Sequence, residues 1–310
     1  MYDANTIPEP GSVTELGYLG FGVSDLSKWK GFAGEVLGLE VVDTGRNSCS
    51  LRMDYWQQRF VLTENGTDDL DFAGWRVANR EALENIQMRL ERAQIPYEIG
   101  SPERVDERRV LGLIVLKDPA GLATEIFYGP QIEASHPFYP GRRMHSSFVT
   151  GERGLGHFVS DIENPALCED FYARLLGMRG SLEFQLEVPA GAGKRHISMH
   201  FMSCNSRQHS IAFANFGDKK RLSHVMTEVA RLEDVGLTRD IVKRRGVPIR
   251  LDIGQHHNDR AVSFYFETPS GWNWECGWGV ASPTGQAEWG SSAIWGHEFI
   301  PPRGSETKQK

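Results

Sequence analysis

Three residues in the C-terminal half of the chain have the types and the spacing for metal chemistry. A strand sends alternate side chains to one face. At that period Leu155, His157 and Val159 share a face within 154–161, and Leu222, His224, Met226 and Glu228 share one within 221–229. Asn273, Glu275 and Gly277 do the same within 272–278. Each strand presents one ligand among apolar or small neighbours. Two imidazoles and one carboxylate facing inward make the facial triad of non-haem Fe(II), whose other positions stay open for substrate and oxygen. A single carboxylate also leaves net positive charge for an anionic substrate. Any one of these residues taken alone reads more simply as a polar group at a strand end. The set gains weight from a duplication whose first copy has Phe21 where the second has His157; none of the ten histidines lies before His136.

Further candidates surround the triad. His209 lies in Arg207-Gln208-His209-Ser210-Ile211-Ala212-Phe213, where alternation groups it with Ile211 and Phe213 on a strand. His256, Asn258 and Asp259 fall in a polar loop before Ala261. Tyr265 sits on an apolar strand, and a buried Tyr hydroxyl requires a partner. For His209 and His256 a capped or surface imidazole is as good a reading as a catalytic one.

The elements that position these residues come from a duplication. Leu19-Gly20-Phe21-Gly22-Val23-Ser24-Asp25 matches Leu155-Gly156-His157-Phe158-Val159-Ser160-Asp161, so Phe21 is expected where the second copy has His157. Each copy leads into a helix stopped by glycine, 28–37 before Gly38 and 166–176 before Gly177. Asp118-Pro119-Ala120-Gly121 through Glu125 likewise matches Thr268-Pro269-Ser270-Gly271 through Glu275, so Glu125 is expected as a structural carboxylate without imidazole partners. Within each unit a strand, a helix and short strands occur twice, which gives an α+β class with mixed sheets. Strands are expected near 196–203, 208–214, 249–253 and 261–267, with a helix over 231–245. The expected organisation is a non-catalytic domain over 1–135, a linker over 136–150, a catalytic metal-binding domain over 151–290 and a tail over 291–310.

Composition narrows the class. The 310 residues are 24 % charged and 40 % hydrophobic, ample for packed cores and unlike a disordered chain or a coiled coil. A net charge of −7 with no Lys/Arg stripe argues against nucleic acid as a partner. No apolar run approaches a membrane span, and the start MYDANTIPEP lacks the regions of a signal peptide. Cys49, Cys168, Cys204 and Cys276 form no CxxC pair and read as reduced thiols of a cytoplasmic protein.

With these residues in view, the chain resembles the type I extradiol ring-cleaving dioxygenases of the vicinal oxygen chelate superfamily, from Glu15-Leu16-Gly17-Tyr18 to Trp295-Gly296-His297. The most specific stretch runs from Ser263 to Glu275: Tyr265, then Thr268-Pro269-Ser270-Gly271, then Glu275 ten residues after the tyrosine. Phe148-Val149-Thr150-Gly151-Glu152, Gln208-His209-Ser210, Arg221-Leu222-Ser223-His224 and His256 with Asn258-Asp259 follow in family order. The resemblance implies two homologous domains, each of two paired βαβββ modules. It assigns His157, His224 and Glu275 to the metal, Fe(II) ahead of Mn(II), with O2 as co-substrate and a small catechol as substrate. His209 corresponds to the acid–base histidine near the oxygen site, His256 and Tyr265 to residues on the catechol hydroxyls, and Asn258 and Asp259 to the loop supporting them. His257 departs from the family pattern, at the rim of the pocket. A homo-oligomer is expected.

Within the family, Tyr55-Trp56, Phe72 to Val77 with Trp75, and Gly271-Trp272 look most like enzymes cleaving bicyclic catechols, of 2,3-dihydroxybiphenyl, 1,2-dihydroxynaphthalene or alkylcatechol type. Two other readings are a non-catalytic binding member of the superfamily and a glyoxalase-type isomerase. The first usually lacks the triad with His209 and Tyr265; the second typically adds another glutamate, which the Phe21 position does not offer.

Overall fold

The computed structural model describes residues 11–190, 193–282 and 293–300. The first sheet holds β1 (Val13–Val23), β2 (Glu40–Gly45), β3 (Ser48–Arg52), β4 (Phe60–Glu64), β5 (Asp69–Val77), β6 (Glu98–Ile99), β7 (Gly112–Lys117) and β8 (Ala123–Tyr128). Its order is β2-β3-β4-β1-β5-β8-β7-β6. The second holds β9 (His157–Asp161), β10 (Arg179–Ala190), β11 (Gly193–Ser203), β12 (Ile211–Ala214), β13 (Leu222–Glu228), β14 (Ile249–His256), β15 (Val262–Glu267), β16 (Asn273–Trp278) and β17 (Ala293–Gly296). Its order, β10-β11-β12-β9-β13-β16-β15-β14-β17, repeats the first and adds one strand. The helices are α1 (Leu26–Phe32), α2 (Arg80–Arg92), α3 (Pro102–Glu107), α4 (Pro165–Leu176) and α5 (Leu232–Arg244). Each sheet is thus two strand–helix–strand modules joined through an antiparallel central pair, β1–β5 or β9–β13.

The central strands are covered on both faces. From β1, Leu19, Phe21 and Val23 enter a large core, while Tyr18 enters a small cluster on the other face. The large core is shared by the two sheets. Phe21 lies 4.9 Å from Trp272, Trp75 lies 6.2 Å from Phe158, and Trp29 Nε1 donates to Ser270 Oγ at 2.9 Å.

The repeat aligns differently from the Phe21–His157 expectation. Asp25 caps α1 and Asn164 caps α4, and the ends of the two helical runs fall on Gly38 (φ +81°) and Gly177 (φ +71°). That phasing matches Tyr18, not Phe21, with His157. The register agrees: Gly20 pairs with Phe72 as Val159 pairs with His224, and Gly74 pairs with Glu125 as Met226 pairs with Glu275. The slip has a simple cause. β1 carries two Leu-Gly steps, and Leu16-Gly17, the first, is the counterpart of Leu155-Gly156.

Other expectations shift locally. Leu155 and Leu222 do not share a face with the histidines but join the core with Phe158 and Val225. Gly156 (φ +145°) starts β9 only at His157, and a register shift between Leu222 and His224 breaks the alternation in β13. His209 lies before β12, between two bends, not on the strand. His256 ends β14 instead of lying in the loop. The segment expected as a tail supplies β17, which pairs with β14.

Candidate metal centre

β9, β13 and β16 lie side by side and bring the three expected ligands together. Met226 pairs with His157 on one side and Glu275 on the other, and His224 stands two residues away on the same strand. His157 Nε2 and His224 Nε2 are 3.4 Å apart. Glu275 Oε2 is 3.3 Å from His157 Nε2 and 3.5 Å from His224 Nε2. Donors bound at roughly 2.0–2.2 Å to one ion stand about 3.0–3.5 Å from one another, so the spacing fits a single cation. Glu275 is fully buried, yet among the described residues neither of its oxygens accepts a well-formed hydrogen bond, and His157 Nδ1 has no partner there either. An ionised carboxylate left so is expensive unless paired or bound to metal. Burial would raise the Glu275 carboxyl, but His157 and His256 beside it hold it well below the usual carboxylate range. Burial lowers His224 to about 3, so it stays neutral, as a metal ligand must. The His224 and His256 side chains keep 14 % and 16 % exposure, against 2 % for His157, which marks the open side of the site.

His209 lies against the triad, its ring 3.8 Å from that of His157 and edge-on to Phe201 at 5.0 Å. Its Nδ1 is 2.5 Å from Gln208 Oε1. An amide oxygen only accepts, so Nδ1 carries the hydrogen and Nε2 is the bare nitrogen. Burial, then the neighbouring His157, push His209 well below the ordinary histidine range, so the ring is neutral. The bend that holds it is anchored by Arg207, a fully buried guanidinium donating to Glu228 Oε2 at 2.7 Å and to the carbonyls of Arg153 and Val149. Arg207 was not anticipated from the sequence; a charged residue beside a candidate catalytic histidine was the available signal.

On the other side His256 Nε2 meets Tyr265 Oη at 2.7 Å and Glu275 Oε1 at 3.5 Å. Burial, then Glu275, raise the Tyr265 hydroxyl well above its ordinary value, so it keeps its proton. Asp259 is buried and raised by burial; His157, His209 and Asp259 offer ligand atoms within 4.8 Å of one another. Asp259 Oδ1 accepts from Ala261 N at 3.0 Å, while the buried Asn258 Oδ1 has no partner. His257 is half-buried, consistent with a rim position. Trp56, Trp75 and Trp272, in the segments that resemble bicyclic-catechol enzymes, are not at the site. Trp75 and Trp272 belong to the shared core and Trp56 packs with Tyr18 and Phe127.

Residues 154–276 match the Glyoxalase/Bleomycin resistance protein/Dioxygenase superfamily, and residues 16–64 match Dihydroxybiphenyl dioxygenase BphC D1. The chain is 46 % identical to a 1,2-dihydroxynaphthalene dioxygenase of Sphingobium xenophagum, over 92 % of this chain and 95 % of that protein. It is 45 % identical to a biphenyl-2,3-diol 1,2-dioxygenase of Sphingomonas paucimobilis, with the same two coverages of 92 % and 95 %. A crystal structure of a catechol 2,3-dioxygenase superposes with a TM-score of 0.89 at 44 % identity, covering 94 % of this chain and 96 % of that one. Sequence, fold and triad agree: the chain belongs to the extradiol dioxygenases of the vicinal oxygen chelate superfamily.

Proposed function

We propose that this chain is an Fe(II)-dependent dioxygenase that opens a bicyclic catechol such as 2,3-dihydroxybiphenyl beside its hydroxyls, placing both atoms of O2 in the product. The observation that carries the reading is the buried His157–His224–Glu275 triad flanked by neutral His209 on one side and by the His256–Tyr265 pair on the other. A ferrous ion held by the three ligands supplies open positions for the catechol oxygens and O2 and a path for electrons between them; Mn(II) is the alternative ion. The bare Nε2 of His209 takes a proton as the catechol binds and returns it when the ring opens. The Gln208 amide keeps that imidazole in one tautomer. His256 and Tyr265, sharing one hydrogen bond, hold the second catechol oxygen.

An apolar strip supports the choice of substrate. Leu182, Phe201, Ala212 and Ala214 form one apolar cluster with Phe184 and Met199 packed against it, and Phe201 of that cluster meets His209 edge-on at 5.0 Å. Apolar surface buried there contributes roughly 25 cal/mol per Å², so a second ring improves kcat/KM by about one to two decades after ordering costs. The relatives named for naphthalene and biphenyl diols support the same class and make 1,2-dihydroxynaphthalene the alternative substrate. Oxygen uptake with catechol, 3-methylcatechol, 2,3-dihydroxybiphenyl and 1,2-dihydroxynaphthalene tests it. Catechol or 3-methylcatechol giving the highest kcat/KM would contradict the bicyclic reading.

The same reading places the enzyme in the cytoplasm as a homo-oligomer, with the residue ranges 1–135 and 151–290 as its two domains and β17 added to the second. All four cysteines are free thiols, and among the described residues no helix is long and apolar enough to cross a membrane. Ile294, Trp295, Phe299 and Ile300 leave apolar surface on the C-terminal segment, as a contact between copies would use.

A further inference from the structure

We propose that His297 is a positioning residue of the active centre, covering one face of His256 and holding that imidazole on Tyr265; the inference rests on the catechol-cleaving reading of this site. The two imidazoles stack with ring centroids 4.0 Å apart and planes 22° apart, and His297 stands edge-on to Tyr265 at 5.9 Å. His256 Nε2 lies between Tyr265 Oη at 2.7 Å and Glu275 Oε1 at 3.5 Å, so a turn of the ring changes which of them it meets.

The backbone is built to bring His297 there. β17 runs along β14 with Gly254 opposite Gly296 and Gln255 opposite Trp295. A Cβ on Gly254 would collide with the His297 amide nitrogen, and one on Gly296 with the Ile253 carbonyl. Both glycines are therefore needed for the close approach. His297 itself has φ +54°, a left-handed conformation that only glycine adopts freely. Both of its ring nitrogens are shielded and have no hydrogen-bond partner among the described residues. A leucine would fill the space without those unmet nitrogens. Strained backbone and unmet polar groups persist where the surroundings hold them, and they gather at functional sites. A stacked pair of flat rings prefers this offset contact, which fixes the plane of His256.

A double-mutant cycle on the iron-loaded enzyme tests the proposal. With 2,3-dihydroxybiphenyl, His297→Ala is expected to lower kcat about tenfold with iron content unchanged, since small misplacements of catalytic groups are costly. In the His256→Ala background the same change is expected to alter kcat less than about twofold. His297→Phe, which keeps the flat ring, is expected to recover kcat to within about threefold of the parent. Should His297→Ala not fold, His297→Leu replaces it with the same expectation. Parent-like kcat in His297→Ala, equal losses in both backgrounds, or His297→Phe no better than alanine would overturn the proposal. NMR of histidine-labelled, zinc-loaded protein decides the point without turnover. One sharp set of His256 ring signals is expected in the parent and His297→Phe, and a broadened or doubled set in His297→Ala; unchanged signals would refute the stack. A parent that consumes no O2 with any catechol would refute the activity reading, and the NMR comparison would still decide on His297.

Discussion

The same three strand positions are filled in both halves of the molecule, and among the described residues only the second half offers a metal donor set there. In the second sheet they carry His157, His224 and Glu275; in the first, by register, Tyr18, Phe72 and Glu125. The carboxylate is retained in both and is buried in both. What differs is what satisfies it. Glu125 accepts from Tyr18 Oη at 2.7 Å and from Arg108 Nε at 2.8 Å, and the same guanidinium lies 3.8 Å over the Phe72 ring. Glu275 has three imidazoles, those of His157, His224 and His256, at 3.3, 3.5 and 3.5 Å, and among the described residues no well-formed hydrogen bond. Gln58 stands where the second half has His209, and Val115 where it has Tyr265. In one half a fixed guanidinium supplies the positive charge; in the other the anion and the imidazoles form a donor set that fits a cation.

The comparison can be broken most severely at the ligands. His224→Ala is expected to remove bound iron and to lower turnover by at least about four decades, equivalent to roughly 5.5 kcal/mol of lost barrier reduction; Phe72→Ala should leave both intact. Oxygen uptake and metal analysis check this, and full iron with activity in His224→Ala would defeat the assignment. His209→Ala comes next, with a fall in kcat on the order of 10² to 10⁴ while iron and catechol binding persist. Iron loss in that variant would make His209 a ligand, as its place in the second cluster with His157 and Asp259 allows.

In the first half the same kind of cut should act on stability alone. Glu125→Ala strands Arg108 in a buried setting and is expected to cost about 3 kcal/mol in denaturant unfolding, with one iron still bound per chain. An unchanged midpoint would show that the Tyr18–Glu125–Arg108 cluster is not a structural replacement. The smallest expected effect is on pH. His209 is held below the usual histidine value and His297 is lowered by burial to about 4. Below about 6.5 the unfolded chain therefore binds protons that the folded one refuses, and stability falls as pH falls. The metal-free protein should lose melting temperature from pH 7 down to 4, less steeply in His209→Gln; a flat profile would argue against neutral buried imidazoles.

Much of this contrast was legible in the sequence. Period-two alternation was enough for His157, His224 and Glu275, because each lies near the middle or start of a strand that holds its phase locally. It failed where the phase breaks. The shift between Leu222 and His224 and the left-handed Gly156 moved Leu222 and Leu155 to the other face. The repeat was visible but misaligned, since two Leu-Gly steps in β1 compete and local identity cannot separate them. Only helix caps and strand register do. His209 was placed on a strand because its neighbours alternate, yet its position comes from Arg207, whose partner Glu228 is remote in sequence. β17 has no local signal at all: its four residues become a strand by pairing with β14, and so the sequence alone gives His297 no role. The tryptophans point to the substrate by resemblance, while physically Trp75 and Trp272 fill the core between the sheets and Trp56 packs with Tyr18 and Phe127.

The most direct test of the account is iron per chain in three proteins, the parent, Glu275→Ala and Glu125→Ala, purified and loaded with Fe(II) side by side. One iron is expected in the parent and in Glu125→Ala and none in Glu275→Ala. Iron retained in Glu275→Ala, or lost from a folded Glu125→Ala, would contradict the claim that one half holds the metal and the other a guanidinium in its place.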